Sequence, residues 1–155
     1  MSKERNSHVQ THSCGHRWIR AFRTSLAKAI DLSLLNGAEL LAVTVAHLEP
    51  SSHFDGATVR TQRESEEARH RSIAAAQKLV DTVNATAQAK GVRNAEAVVM
   101  KSNLVAESII EVAKTRDCDL IVMASHGRRG LTRLLMGSET LHVLTHSHTP
   151  VLVLR

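Results

Sequence analysis

The residues best suited to chemistry lie in one stretch, Asp119 to Thr140. There an apolar run, Leu120 to Met123, passes through Ala124, Ser125 and His126 into a turn punctuated by Gly127, Gly130 and Gly137, and ends at Ser138-Glu139-Thr140. The chemistry this pattern suits is anion binding. Glycines leave backbone amides bare where ligand oxygens must approach closely. The first amides of a helix have no intrahelical carbonyl to bond, and the helix dipole adds positive charge at the same place. Ser138 stands where an N-cap belongs, so its hydroxyl and the amides of Glu139 and Thr140 form a corner that attracts a phosphate. Arg128 can clamp the same group, although loop arginines such as Arg128 and Arg129 are more often solvated.

Other candidates carry less. His142 and His146 sit at helical i, i+4 spacing, which resembles half of a metal site, but no Cys or carboxylate motif completes it. His126 adjoins the turn and suits a ligand contact or a backbone-supporting role equally. Ser125 lacks the Gly-x-Ser-x-Gly setting of a hydrolase nucleophile. Glu64, Glu66 and Glu67 read as a solvated helix face. No carboxylate pair or activated nucleophile emerges, so the chain does not read as a dedicated enzyme.

The net charge of +5 over 155 residues overstates the basic character of the domain. Lys3, Arg5, Arg17, Arg20 and Arg23 face only Glu4 in the first 23 positions, which leaves fifteen bases against fourteen acids beyond them. No general nucleic-acid face follows; the cluster Arg128, Arg129 and Arg133 is what remains. Trp18, Phe22 and Phe54 are the only aromatics, too few for a base-stacking platform. No signal peptide, membrane span or anchor motif is read, and Cys14 and Cys118 are expected to be free thiols in a reducing cytoplasm.

The elements that must hold the turn follow from periodicity. Leu26, Ile30 and Leu34, with Ala27 and Leu35, predict a helix from Thr24 that stops at Asn36-Gly37. Glu39 to Ala46 is an almost continuous apolar run, as in a strand covered on both faces. A polar loop runs from His47 to about Val59, and Arg60 to Lys90 is a long helix closed by Gly91. Asn94 to Met100 reads as a strand, Leu104 to Arg116 as a helix, and Leu120 to Met123 as the strand feeding the turn. A short helix, Ser138 to Ser147, is expected to turn Leu141 and Leu144 inward, and Thr149 to Leu154 ends the chain as a strand. This alternation predicts an α/β fold, a doubly wound parallel sheet of five strands, with ligands at the carboxyl ends of the strands.

With these residues in place, the chain from about Lys28 to Arg155 resembles the universal stress protein family. The family's nucleotide motif, Gly-x2-Gly-x9-Gly-(Ser/Thr), is matched by Gly127, Gly137 and Ser138, and Ala124 stands at the first glycine. The resemblance implies a cytoplasmic stress-response regulator that binds ATP, with or without magnesium, and at most hydrolyses it slowly. It implies that Val45 meets the adenine, that the segment from Met123 through Ala124, Ser125, His126, Gly127 and Arg128 holds ribose and phosphate, and that Gly137, Ser138, Glu139 and Thr140 hold the terminal phosphates. It further implies a homodimer through Thr149 to Leu154. A nucleotide-free dimerising interaction module, or a degenerate member unable to bind nucleotide, is the alternative.

The family's opening, a strand and turn of the form Ile-Leu-Val-x-x-Asp-Gly-Ser, has no counterpart between His8 and Arg23, and Asp-Gly-Ser occurs nowhere. Synonymous codons can be chosen for His8 to Ser25 that, read one nucleotide downstream, give M-F-K-H-I-L-A-D-T-D-G-S-E-L-S-E-Q. Residues 1–23 are therefore read as an aberrant, out-of-frame segment ahead of a domain over 24–155. The first strand is expected to be missing or replaced by a poor substitute such as Arg17 to Phe22, and residues 1 to about 22 are expected to be poorly ordered.

Overall fold

A computed structural model of the chain describes residues 7–13, 19–46, 48, 62–125 and 136–154. Strands and helices alternate: β1 (Ser7–Ser13), α1 (Ile19–Asn36), β2 (Glu39–Ala46), α2 (Gln62–Ala89), β3 (Ala95–Lys101), α3 (Val105–Thr115), β4 (Leu120–Ala124), α4 (Ser138–His146) and β5 (Val151–Leu154). The five strands form one sheet in the order β3-β2-β1-β4-β5, and every pair is parallel. The two halves of the chain wind outward from the centre, so the switch point lies between β1 and β4.

The apolar alternation of β2 explains the two layers. Leu41, Val43 and Val45 join Ile121 and Met123 under α3 and α4, where Val105, Ile109, Val112 and Val143 complete a core. Leu40 and Ala42 join Val122 on the other face, against Leu26, Ala29 and Ile30 of α1 and Val83 and Ala87 of α2. Seven consecutive residues of β2, Leu40 to Ala46, are buried. That is why β2 shows an unbroken apolar run in the sequence.

Three helices stop in the same way before their strands. Gly37 and Ala38 donate to the carbonyls of Leu34 and Ser33, Gly91 and Val92 to those of Gln88 and Ala87, and Asp117 and Cys118 to those of Lys114 and Ala113. Each is a Schellman stop with its turning residue in the left-handed region, at φ 63° for Gly37, 85° for Gly91 and 50° for Asp117. The residue after each turn, Ala38, Val92 or Cys118, is buried. Asp117 does without glycine what the other two positions do with it.

The sequence reading is corrected at four places. The central strand lies at Ser7–Ser13, not at Arg17 to Phe22, and α1 starts at Ile19, ahead of the helix start expected at Thr24. Ser-His-Val-Gln-Thr-His-Ser is a polar sequence for a central position, but β2 and β4 both require a partner on that side, because unpaired strand amides and carbonyls cannot be left inside a sheet. Leu34 and Leu35 of α1 are exposed and Ser33 takes the inward place. In α4, Leu141 and Leu144 are 53% and 37% exposed, whereas Thr140 and Val143 are buried. Finally, Gly137 is the N-cap of α4, with extended backbone (φ −61°, ψ 146°), and Ser138 is its first helical residue.

Candidate functional site

The sheet opens at the switch point. β1 pairs with β2 along seven positions, from Ser7↔Glu39 to Ser13↔Val45, but with β4 along only three, His8↔Leu120 to Gln10↔Val122. Beyond Val122 the two central strands part. Amides of β4 alternate in direction: those of Ile121 and Ser125 donate to Pro150 and Leu154 on the β5 side. The carbonyl of Ala124 therefore points to the β1 side, past the end of that ladder. The Thr140 hydroxyl, buried within α4, donates to this carbonyl at 3.0 Å.

Further bonds fix the start of α4 against the end of β4. The Gly137 amide donates to the Ser125 carbonyl at 3.0 Å, and Ser125 is itself buried. Glu139, in the first turn of α4, reaches across to α3 and accepts the Ala106 amide on Oε2 at 3.0 Å. The opening amides of α4 lie beyond the reach of its intrahelical ladder, whose first bond, Leu141 to the Gly137 carbonyl, comes one turn in. The positive end of α4 is thus held at the carboxyl end of β4.

Of the residues singled out in the sequence, Met123, Ala124, Ser125, Gly137, Ser138, Glu139 and Thr140 converge here. Val45, next to last in β2 on the other side of β1, has its side chain fully buried in the core under α3 and α4. His126, Gly127 and Arg128, with Arg129, Gly130 and Arg133, lie outside the described residues. The side-chain roles of Glu139 and Thr140 escaped the sequence reading, which counted only their amides. A carboxylate in a helix's first turn carries no sign that it will cap a different helix 33 positions away.

His142 and His146 bring their rings to 4.3 Å, and His142 Nε2 lies 3.6 Å from Glu107 Oε1, tying α4 to the first turn of α3 a second time. Among the described residues no group of three His, Cys, Asp or Glu side chains could hold a metal ion, and no helix is long and apolar enough to cross a membrane. Cys118 is a free, buried thiol. It sits at the amino ends of β4 and β5, in a cleft of about 430 Å³ lined also by Ile110 and His148. Burial, reinforced by the Asp119 carboxylate, pushes this thiol from its ordinary 9.0 up to about 11.

Comparison with known proteins agrees with this architecture. The family model described as the universal stress protein family matches residues 23–155. The universal stress protein MJ0531 of Methanocaldococcus jannaschii is 41% identical over 56 residues, 36% of this chain and 33% of its own length. The matched stretch thus spans about a third of that relative. Among solved structures, the universal stress protein UspA from Lactobacillus plantarum superposes with a TM-score of 0.77 at 19% identity, covering 99% of this chain and 100% of that one. A universal stress protein family protein from Arabidopsis thaliana with AMP bound superposes at 0.66 with 14% identity, covering 96% and 90%. At these identities the two structures establish the fold.

Proposed function

The chain belongs to the universal stress protein family, and we propose that it binds an adenine nucleotide, ATP in the first instance, at the carboxyl end of β4, acting as a stress-response regulator through its bound state. The observation that carries this reading is the amino end of α4, Gly137 and Ser138, held at the carboxyl end of β4, where the β1–β4 register ends at Val122. The phosphates would lie on the opening amides of α4 and the Ser138 hydroxyl, with Gly127 and Arg128 contributing from the turn and magnesium neutralising part of their charge. The relative carrying AMP supports an adenine ligand. Isothermal titration of ATP into the wild-type protein and a Gly137→Leu variant tests the reading. Binding by the wild type and loss in a variant of unchanged thermal stability is expected; no heat from the wild type rejects it.

The reading extends to a cytoplasmic homodimer paired through Thr149 to Leu154. Its support is the position of β5 at the edge of the sheet and the exposure of Leu152 on that strand. Sedimentation of the protein, with Leu152→Lys as the disrupting variant, checks it. The same edge strand favours the second reading, a dimerising module without nucleotide, which a dimer that titrates no ATP would single out.

The segment before about Leu26 is taken as an out-of-frame translation of an ordinary first strand. Its support is the polar sequence of β1 in the central position and the family match, which starts at Arg23. In the shifted frame M-F-K-H-I-L stands in place of His8 to Ser13, and A-D-T-D-G-S follows it, restoring the Asp-Gly-Ser of the family's opening. The nucleotide sequence of the gene tests this, and codons incompatible with the shifted peptide reject it.

A further inference from the structure

We infer that Glu139 sets the charge preference of the nucleotide site, ranking ligands by the number of phosphates they carry; this rests on the nucleotide reading above. Glu139 stands in the first turn of α4, whose opening amides are the ones offered to phosphate. Glu139 is exposed, and its carboxylate is anchored by the Ala106 amide, which Oε2 accepts at 3.0 Å. Among the described residues no cationic side chain pairs with it, since the neighbouring His142 engages Glu107 instead. The amide it meets belongs to the first turn of α3, so the carboxylate takes up the positive end of that helix and leaves α4 alone to attract the ligand. A fixed negative charge thus borders the phosphate corner.

Such a charge acts unequally on different nucleotides. AMP brings one phosphate to the corner, whereas ATP brings two more, each adding charge that the Glu139 carboxylate opposes at short range. Glu139→Gln separates this effect from the tie to α3, since the glutamine carbonyl still accepts the Ala106 amide. The experiment is titration of AMP and ATP against wild type, Glu139→Gln and Glu139→Ala at low and high salt.

In Glu139→Gln the affinity for ATP relative to AMP is expected to rise about three- to tenfold at low salt, and the difference to shrink as salt is added. Glu139→Ala, which also lacks the charge, is expected to show the same change in ratio. A ratio within about twofold of wild type in both variants overturns the inference. A change confined to Glu139→Ala also overturns it, and makes the residue a positioning group for α3. A protein that binds neither nucleotide rejects the site itself, whereas binding of both with an unaltered ratio rejects only the role of Glu139.

Discussion

Replacing Thr140 with valine removes a side-chain bond that ties the first turn of α4 to the end of β4. Valine has nearly the shape of threonine, so packing at this buried position is preserved and only the O–H donor to the Ala124 carbonyl is lost. That carbonyl lies beyond the last β1–β4 register pair, where no strand amide remains to satisfy it. An acceptor left without its donor in partly buried surroundings costs about 1–2 kcal/mol, which for a domain of this size is a fall of roughly 3–8 °C in Tm. Urea unfolding followed by far-UV circular dichroism measures the stability. Hydrogen exchange at the Gly137 amide, bonded to the Ser125 carbonyl, reports whether the start of α4 loosens. The sign of the result decides. An unpaired buried hydroxyl is better replaced by a methyl group, so a Thr140→Val protein at least as stable as wild type refutes the assignment.

Three further outcomes follow from burial and backbone geometry. Val143→Ala, at a fully buried site, is expected to cost about 1.5–3 kcal/mol, whereas Leu141→Ser, half exposed, changes stability by less than about 0.5; equal losses in thermal melts would return the leucines to the inward face. The thiol of Cys118 titrates near 11 in the folded chain against 9.0 when unfolded, so its contribution to stability is complete below pH 9 and is lost as pH rises toward 11. Urea midpoints at pH 8 and pH 10.5 should therefore fall further for wild type than for Cys118→Ala, and parallel falls contradict the shift. Asp117→Gly relieves a side chain held at φ 50° and is expected to gain up to about 1 kcal/mol; a loss would mean that the aspartate's own interactions outweigh the backbone strain.

Much of this fold is legible in the residues because local and global preferences coincide. The continuous apolar run of β2 gives its bounds to the residue, and Gly37 and Gly91 mark helix ends that the structure closes with left-handed turns. α4 shows where such reading stops. Leu141 and Leu144 share the i, i+3 spacing of Thr140 and Val143, so periodicity alone offers two faces. The choice is made by a bond between Thr140 and Ala124, 16 positions apart, which no local pattern announces. The leucines were the more apolar pair and the wrong one. β1 shows the converse: no alternation marks Ser7–Ser13, and its pairing comes from the vacancy between β2 and β4, not from its own side chains. At the candidate site, the glycine spacing and the strand-to-helix corner could be read from the sequence, but the crossing from Glu139 to Ala106 required the packed helices.

The three matching helix stops divide the molecule into an end that resists change in length and an end that accepts it. At Ala38, Val92 and Cys118 the chain leaves a left-handed turn and is buried at the very next residue, so one inserted residue would move a core position out of register with its strand. At the opposite end, the connections over 47–61 and 125–137 lead into helices, α2 and α4, and not into strands. A tag, a reporter or a new recognition loop inserted at any of these three turns is therefore expected to disrupt the fold more than one placed within 47–61. Variation among relatives in loop length should gather at that same end, where specificity can diversify while the turns beneath the sheet keep its register.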